Sequence, residues 1–121
     1  MQVRMGVAWF DEAEWAKAVE RWPELLEEMP AEHLAYKAAI EAKVAAMQPT
    51  MRGARLALTP VTVAEIEARA AADGIEAGSA EARGRVAADN TRLGRGVAWP
   101  PGRNDPCWCA SGAKYKRCCG A

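Results

Sequence analysis

All four cysteines of the chain fall within thirteen consecutive positions near its C-terminus, in the order C-x-C-x8-C-C: Cys107, Cys109, Cys118 and Cys119. Two short thiol pairs joined by one loop match the requirement of zinc, which takes four thiolates tetrahedrally at about 2.3 Å each. Pro106 stiffens the approach to the first pair, and Ser111-Gly112 supplies a turn between the pairs. Lys114 to Arg117 then lead into the second pair as a single helical turn. Ordering such a loop costs about 1–2 kcal/mol per residue in backbone entropy. Its only sizeable apolar groups, Trp108 and Tyr115, return roughly 3–6 kcal/mol on burial. A structural zinc contributes about 10–16 kcal/mol that doubles as folding energy. The loop is therefore expected to be ordered with the metal and not without it.

Two other readings of the cysteines remain beside zinc. Disulfides have three possible connectivities, but the opening MQVRMGVAWFDEAEWAK has no secretory apolar core or cleavage site, so a reducing, cytoplasmic location is expected. A redox-active thiol set is less well matched, because the C-x-x-C spacing and βαβ context of a thioredoxin-like site are missing from the sequence. With four protein sulfurs as ligands a zinc ion has no open position for water, so its expected role is to hold shape.

The run from Asn104 to Gly120, NDPCWCASGAKYKRCCG, resembles the SEC-C motif. That motif is the zinc-binding tail of the preprotein-translocase ATPase SecA and of many smaller bacterial proteins. The similarity covers about 20 of 121 residues. It implies one structural Zn2+ on Cys107, Cys109, Cys118 and Cys119. It also implies a partner surface, here Arg103, Trp108, Lys114, Tyr115, Lys116 and Arg117, that meets a protein such as an export chaperone with an acidic surface, a translocase component or a ribosome, and anionic lipid as a further candidate. Two departures from the motif are visible. Ala110 stands where Gly is usual, which is tolerable if that position does not need positive φ. Ala113 stands where a basic residue is usual, which removes one charge from the partner face.

Charge is balanced overall and unevenly placed. Residues 1–30 carry three basic and seven acidic side chains, residues 31–82 five and seven, and residues 83–121 eight and two. The last stretch is thus +6 as a polypeptide, and four thiolates on one Zn2+ would lower it by two units, to about +4. An acidic head and a basic tail point to an anionic partner for the tail. Arginine outnumbers lysine eleven to five, and 27 residues are alanine, a bias found in high-GC bacterial genomes. So many alanines leave few large side chains for a core, and a thin, all-α one is expected. No apolar run approaches the ~18 residues of a membrane span.

The helices are marked by caps and periodicity. Asp11 with Glu14 opens the first, whose apolar stripe is Trp15, Val19, Trp22, Leu26 and Met29, with a kink or a new start at Pro23. The second runs from near Ala31 to Met47, with His33, Tyr36, Ile40, Val44 and Met47 on one side. His33, the only histidine, has no visible partner for a site and reads as structural or exposed. Thr62 and Glu65 form a capping box for a third helix ending at Gly74, and Ser79 caps a fourth to about Leu93. The turn between these two is too long for a helix-turn-helix, leaving an αα-hairpin.

Residues 48–60 read as a linker, because the alternation from Arg55 to Leu58 would make a strand with nothing to pair with. Residues 94–103, rich in Gly and Pro, read as a tether without regular structure. The expected organisation is a domain of about four helices over 1–93, a linker over 94–103 and a zinc knuckle over 104–121. The sequence holds no P-loop, dinucleotide turn, G-x-S-x-G or H-E-x-x-H, so no enzyme activity is expected. The leading expectation is a cytoplasmic, non-enzymatic adaptor that docks on a protein partner. The alternative is an RNA- or DNA-binding protein, with Arg83, Arg85, Arg92 and Arg95 extending the basic patch along a helix.

Overall fold

The computed structural model describes residues 3–121. In chain order it contains β1 (Val3–Trp9), α1 (Glu12–Arg21), a 3-10 turn (Pro23–Glu27), α2 (His33–Met47), β2 (Ala54–Pro60), α3 (Val63–Asp73), α4 (Ala80–Arg92), β3 (Val97–Ala98) and a last 3-10 turn (Tyr115–Arg117).

The all-α expectation is overturned by a three-stranded mixed sheet in the order β1-β2-β3. β1 and β2 run parallel, from Val3 opposite Ala54 to Trp9 opposite Pro60, and β3 pairs antiparallel with β2 at Ala57–Ala98 and Leu58–Val97. The partner that β2 seemed to lack is therefore the N-terminal segment, reached through a crossover of two helices as parallel pairing requires. Residues 97–98, inside the stretch read as lacking regular structure, complete the sheet.

The strand signal was obscured because β1 alternates large with small residues, not apolar with polar. Gly6 faces α4 so closely that a Cβ there would lie 2.3 Å from Thr91 Oγ1 and 2.8 Å from the Ala87 carbonyl oxygen. On the opposite face, by strand alternation, Val7 and Trp9 are buried beside Leu56 and Leu58 of β2. Helices thus cover both faces, as is usual for parallel pairs.

The helical boundaries follow their local signals. Asp11 accepts from the Glu14 amide (2.8 Å), and Thr62 and Glu65 cap each other reciprocally. Gly74 ends α3 at φ 66°, and Ser79 Oγ accepts from the Ala82 amide (3.1 Å). Pro23 starts a 3-10 turn, and the tighter winding moves the apolar stripe by one residue: Leu25 is buried while Leu26 is exposed.

Tyr36 anchors the junction of β1, α1 and α2. Its ring stacks on Trp15 with centroids 4.1 Å apart, and its hydroxyl accepts from the Phe10 amide at 3.0 Å. Burial pushes the Tyr36 phenol up to about 12. His33 Nε2 lies 2.8 Å from the Phe10 carbonyl oxygen and its ring stacks on Tyr36, so it fastens the same junction.

Candidate metal centre

The C-terminal segment folds as a small hairpin. Pro106 and Lys114 form an isolated antiparallel bridge, the Cys107 amide donates to Ala113 O (2.9 Å), and the Tyr115 amide donates to Asp105 O (2.9 Å). Cys107 and Cys109 sit in the turn after the first arm. Cys118 and Cys119 follow the 3-10 turn, where the Cys118 amide donates to Tyr115 O (3.0 Å). All four sulfurs lie within 4.8 Å of one another, with Cys109 and Cys118 at 3.5 Å. An ideal tetrahedron of sulfurs with 2.3 Å metal bonds has edges of about 3.8 Å. Four soft sulfur donors at that scale fit a metal ion of the zinc class.

The turn between the pairs carries a backbone cost. Ala110 has φ +60° and Gly112 φ +87°. The Ala110 position does need the left-handed region, where glycine sits freely and an alanine is strained by about 1–2 kcal/mol.

The thiols differ in environment. Burial pushes Cys107 and Cys119 up. Burial acts the same way on Cys109, but hydrogen bonds from Ser111 and Cys118 outweigh it and bring that thiol down to about 7. Lys37 Nζ of α2 lies 3.6 Å from Cys109 Sγ. Burial alone would lower the Lys37 ammonium, but thiolate charge on Cys109, Cys119 and Cys118 outweighs it and holds it above its ordinary value. A cation thus faces the sulfurs from outside the hairpin and offsets part of the charge of a four-thiolate set.

A second residue of α2 grips the hairpin more firmly. Glu41 Oε2 accepts from Trp108 Nε1 (2.8 Å) and Trp99 Nε1 (3.1 Å), and Glu41 Oε1 accepts from the Tyr115 hydroxyl. Trp108, 2 % exposed, also packs edge-on against Trp9 of β1 at 5.2 Å. Burial together with Glu41 pushes the Tyr115 phenol well above its ordinary range.

These contacts correct part of the expected partner surface. Trp108 and Tyr115 are buried, with their polar atoms committed to Glu41, so neither ring is presented for stacking. Arg103, Lys114 and Arg117 are exposed and Lys116 half-buried, and none of the four forms an ion pair among the described residues. Beside them, Leu34, Lys37 and Ala38 of α2 with Arg117, Cys118 and Cys119 line a cleft of about 380 Å3. Leu34 is 68 % exposed at its rim.

The arginine stripe of α4 is different. Arg85 pairs with Asp73 and Glu81, Arg92 with Asp89, and Arg95 with Glu65. Arg83 is half-buried and donates to Gly78 O (3.1 Å). The row is largely neutralised within the molecule. It offers no continuous basic face.

Lys37, Glu41 and Trp9 were not legible as site residues. Lys37 and Glu41 stand four apart on α2, which in sequence looks like an ordinary solvent-facing pair. Only the returning tail gives them partners.

Fold and site together define an α/β domain closed by a four-cysteine knuckle. Residues 103–121 are a SEC-C motif, matched by the family model of that description. Over 20 residues the chain is 80% identical to a UPF0225 protein of Geobacter sulfurreducens, covering 16% of this chain and 12% of that one. The same identity over 20 residues relates it to protein translocase subunit SecA of Chlorobium phaeobacteroides and of Halothermothrix orenii, covering 2% of each. The matched stretch is thus a small part of each relative. No solved structure matches the chain. Among the described residues, no helix is long and apolar enough to cross a membrane.

Proposed function

We propose that the chain is a non-enzymatic, zinc-binding adaptor whose knuckle docks on an acidic protein surface. The observation that carries this reading is the convergence of four thiols within 4.8 Å in a segment closely similar to the end of the SecA translocase subunit. Zinc bound there would supply a cross-link between the two arms of the hairpin. Cys107, Cys109, Cys118 and Cys119 would hold it, and four protein sulfurs leave no position for a reacting water. The docking face consists of Arg103, Lys114, Lys116 and Arg117, whose charges are not spent within the molecule, with Leu34 as an apolar contact at the adjacent rim. An export chaperone with an acidic surface fits that face best, a translocase component or a ribosome-associated protein being the other candidates, and a cytoplasmic location suits all three. The nucleic-acid reading is less well supported, because three of the four arginines it needs are paired with carboxylates and the fourth, Arg83, is half-buried.

The test starts with metal analysis of reduced protein, expected to give one zinc per chain. Affinity capture from a bacterial lysate, with and without nuclease, follows. A nuclease-resistant protein complex that is lost when Lys114, Lys116 and Arg117 are all replaced by Ala, with zinc retained, supports the proposal. A complex that disappears with nuclease replaces it with the nucleic-acid reading.

A further inference from the structure

We propose that Glu41 is the positioning residue through which metal binding at the cysteine hairpin and the stability of the α/β body support each other. Three hydrogen-bond donors from the tail, Trp99 Nε1, Trp108 Nε1 and the Tyr115 hydroxyl, converge on this one carboxylate of α2. They come from residues 58, 67 and 74 positions away, and each belongs to a different part of the tail. Trp99 leads out of β3, Trp108 sits between the first two ligands, and Tyr115 opens the turn that delivers the last two. A carboxylate is acceptor-only and has about four lone-pair sites, so it can satisfy three donors at once, which no neutral side chain of similar size does.

The consequence is linkage. Trp108 cannot leave the core without vacating its place against Trp9 and stranding an indole N–H, and it cannot stay without holding Cys107 and Cys109. The ion and the Glu41 cluster fix the same backbone, so each lowers the entropy cost of forming the other. Linkage of this kind is reciprocal: whatever factor the cluster adds to metal affinity, the metal returns to the cluster. Lys37, one turn earlier on the same helix and 3.6 Å from Cys109 Sγ, places a compensating cation on the same side. The motif shared with the relatives supplies the ligands, and α2 supplies the seat.

The inference rests on metal occupying the four-cysteine site, and the experiment separates the two. Zinc dissociation constants of reduced full-length protein are measured by competition with a chromophoric chelator for wild type, Glu41→Ala, Glu41→Gln and Val86→Ala. Val86 is a buried residue of α4, a helix that packs on β1, β2 and α3, so its truncation lowers thermal stability without removing a donor or acceptor of the Glu41 cluster. Outer-shell partners typically contribute 10–100-fold to metal affinity. Glu41 bonds to the residues beside the ligands and not to the ligands themselves, so Glu41→Ala is expected to weaken zinc by about tenfold, the lower end of that range. Glu41→Gln, which keeps one acceptor oxygen, should fall in between, and Val86→Ala should match wild type. Equal affinity in wild type and Glu41→Ala, or an equal loss in Val86→Ala, overturns the proposal. Absence of zinc binding in wild type overturns the metal reading itself. If Glu41→Ala does not fold, Glu41→Gln and wild-type hydrogen exchange carry the test: chelation must speed exchange of the α2 amides around Glu41, and unchanged protection refutes the linkage.

Discussion

Ala110→Gly isolates the cost of the knuckle's tightest turn. The residue has φ +60°, a conformation that strains an L-alanine by about 1–2 kcal/mol. Glycine removes that strain but brings back roughly 0.5–1 kcal/mol of conformational entropy to be lost on ordering. The net expectation is a gain of about 0.5–1 kcal/mol, the difference of the two. Because loop ordering and metal binding are one event, the gain should appear as zinc affinity tighter by about two- to fivefold. In a domain of this size it should also raise the Tm by about 2–5 °C if the loop unfolds with the body. Ala113 provides the control: it lies in the same loop outside the left-handed region. Ala113→Gly has only the entropy cost and should weaken binding. Chelator competition at fixed pH, with both variants reduced, reads the two changes side by side. The same sign for both variants, or no gain for Ala110→Gly, would refute the argument that backbone strain is stored at Ala110.

Other perturbations test the body and the site separately. Gly6→Ala places a methyl 2.3 Å from Thr91 Oγ1 and 2.8 Å from the Ala87 carbonyl, and should lower stability by about 1–3 kcal/mol in urea, with an unchanged m-value. Tyr36→Phe leaves the buried Phe10 amide without its acceptor and should cost about 1–3 kcal/mol at pH 7. The Tyr36 phenol is raised from 10.0 to about 12 in the folded chain. Its contribution is therefore intact below pH 10 and is lost as pH rises toward 12, because the unfolded chain releases that proton first. Urea titrations between pH 9 and 12 should show a steeper alkaline decline in wild type than in Tyr36→Phe, and parallel curves would count against the assignment. Cys118→Ser should reduce zinc to well below one per chain by elemental analysis. It should leave the far-ultraviolet helical signal at 20 °C largely in place, since the caps of α1, α3 and α4 do not involve the tail.

The readable parts of this chain were those encoded over a few residues. Asp11, Thr62 and Ser79 cap helices because a side-chain oxygen reaches an amide three positions on. Pro23 and Gly74 bound elements through their own φ preferences. The cysteine spacing specified a thiol quartet for the same reason, since eight residues at most separate one cysteine from the next along the chain. The sheet was not legible. β2 carries its alternation in sequence, but its partner lies about fifty positions earlier, and Gly6 and Ala8 stand where a polar residue would have announced a strand.

By itself, then, the sequence determined where helices begin and end and which four atoms are available to a metal, because these depend on neighbours along the chain. Tertiary structure alone decided that the body is α/β, that Trp108 and Tyr115 are buried, and that Lys37 and Glu41 face the hairpin. Each of those depends on donors, acceptors and rings separated by 50 residues or more, and no local pattern ranks one distant partner above another.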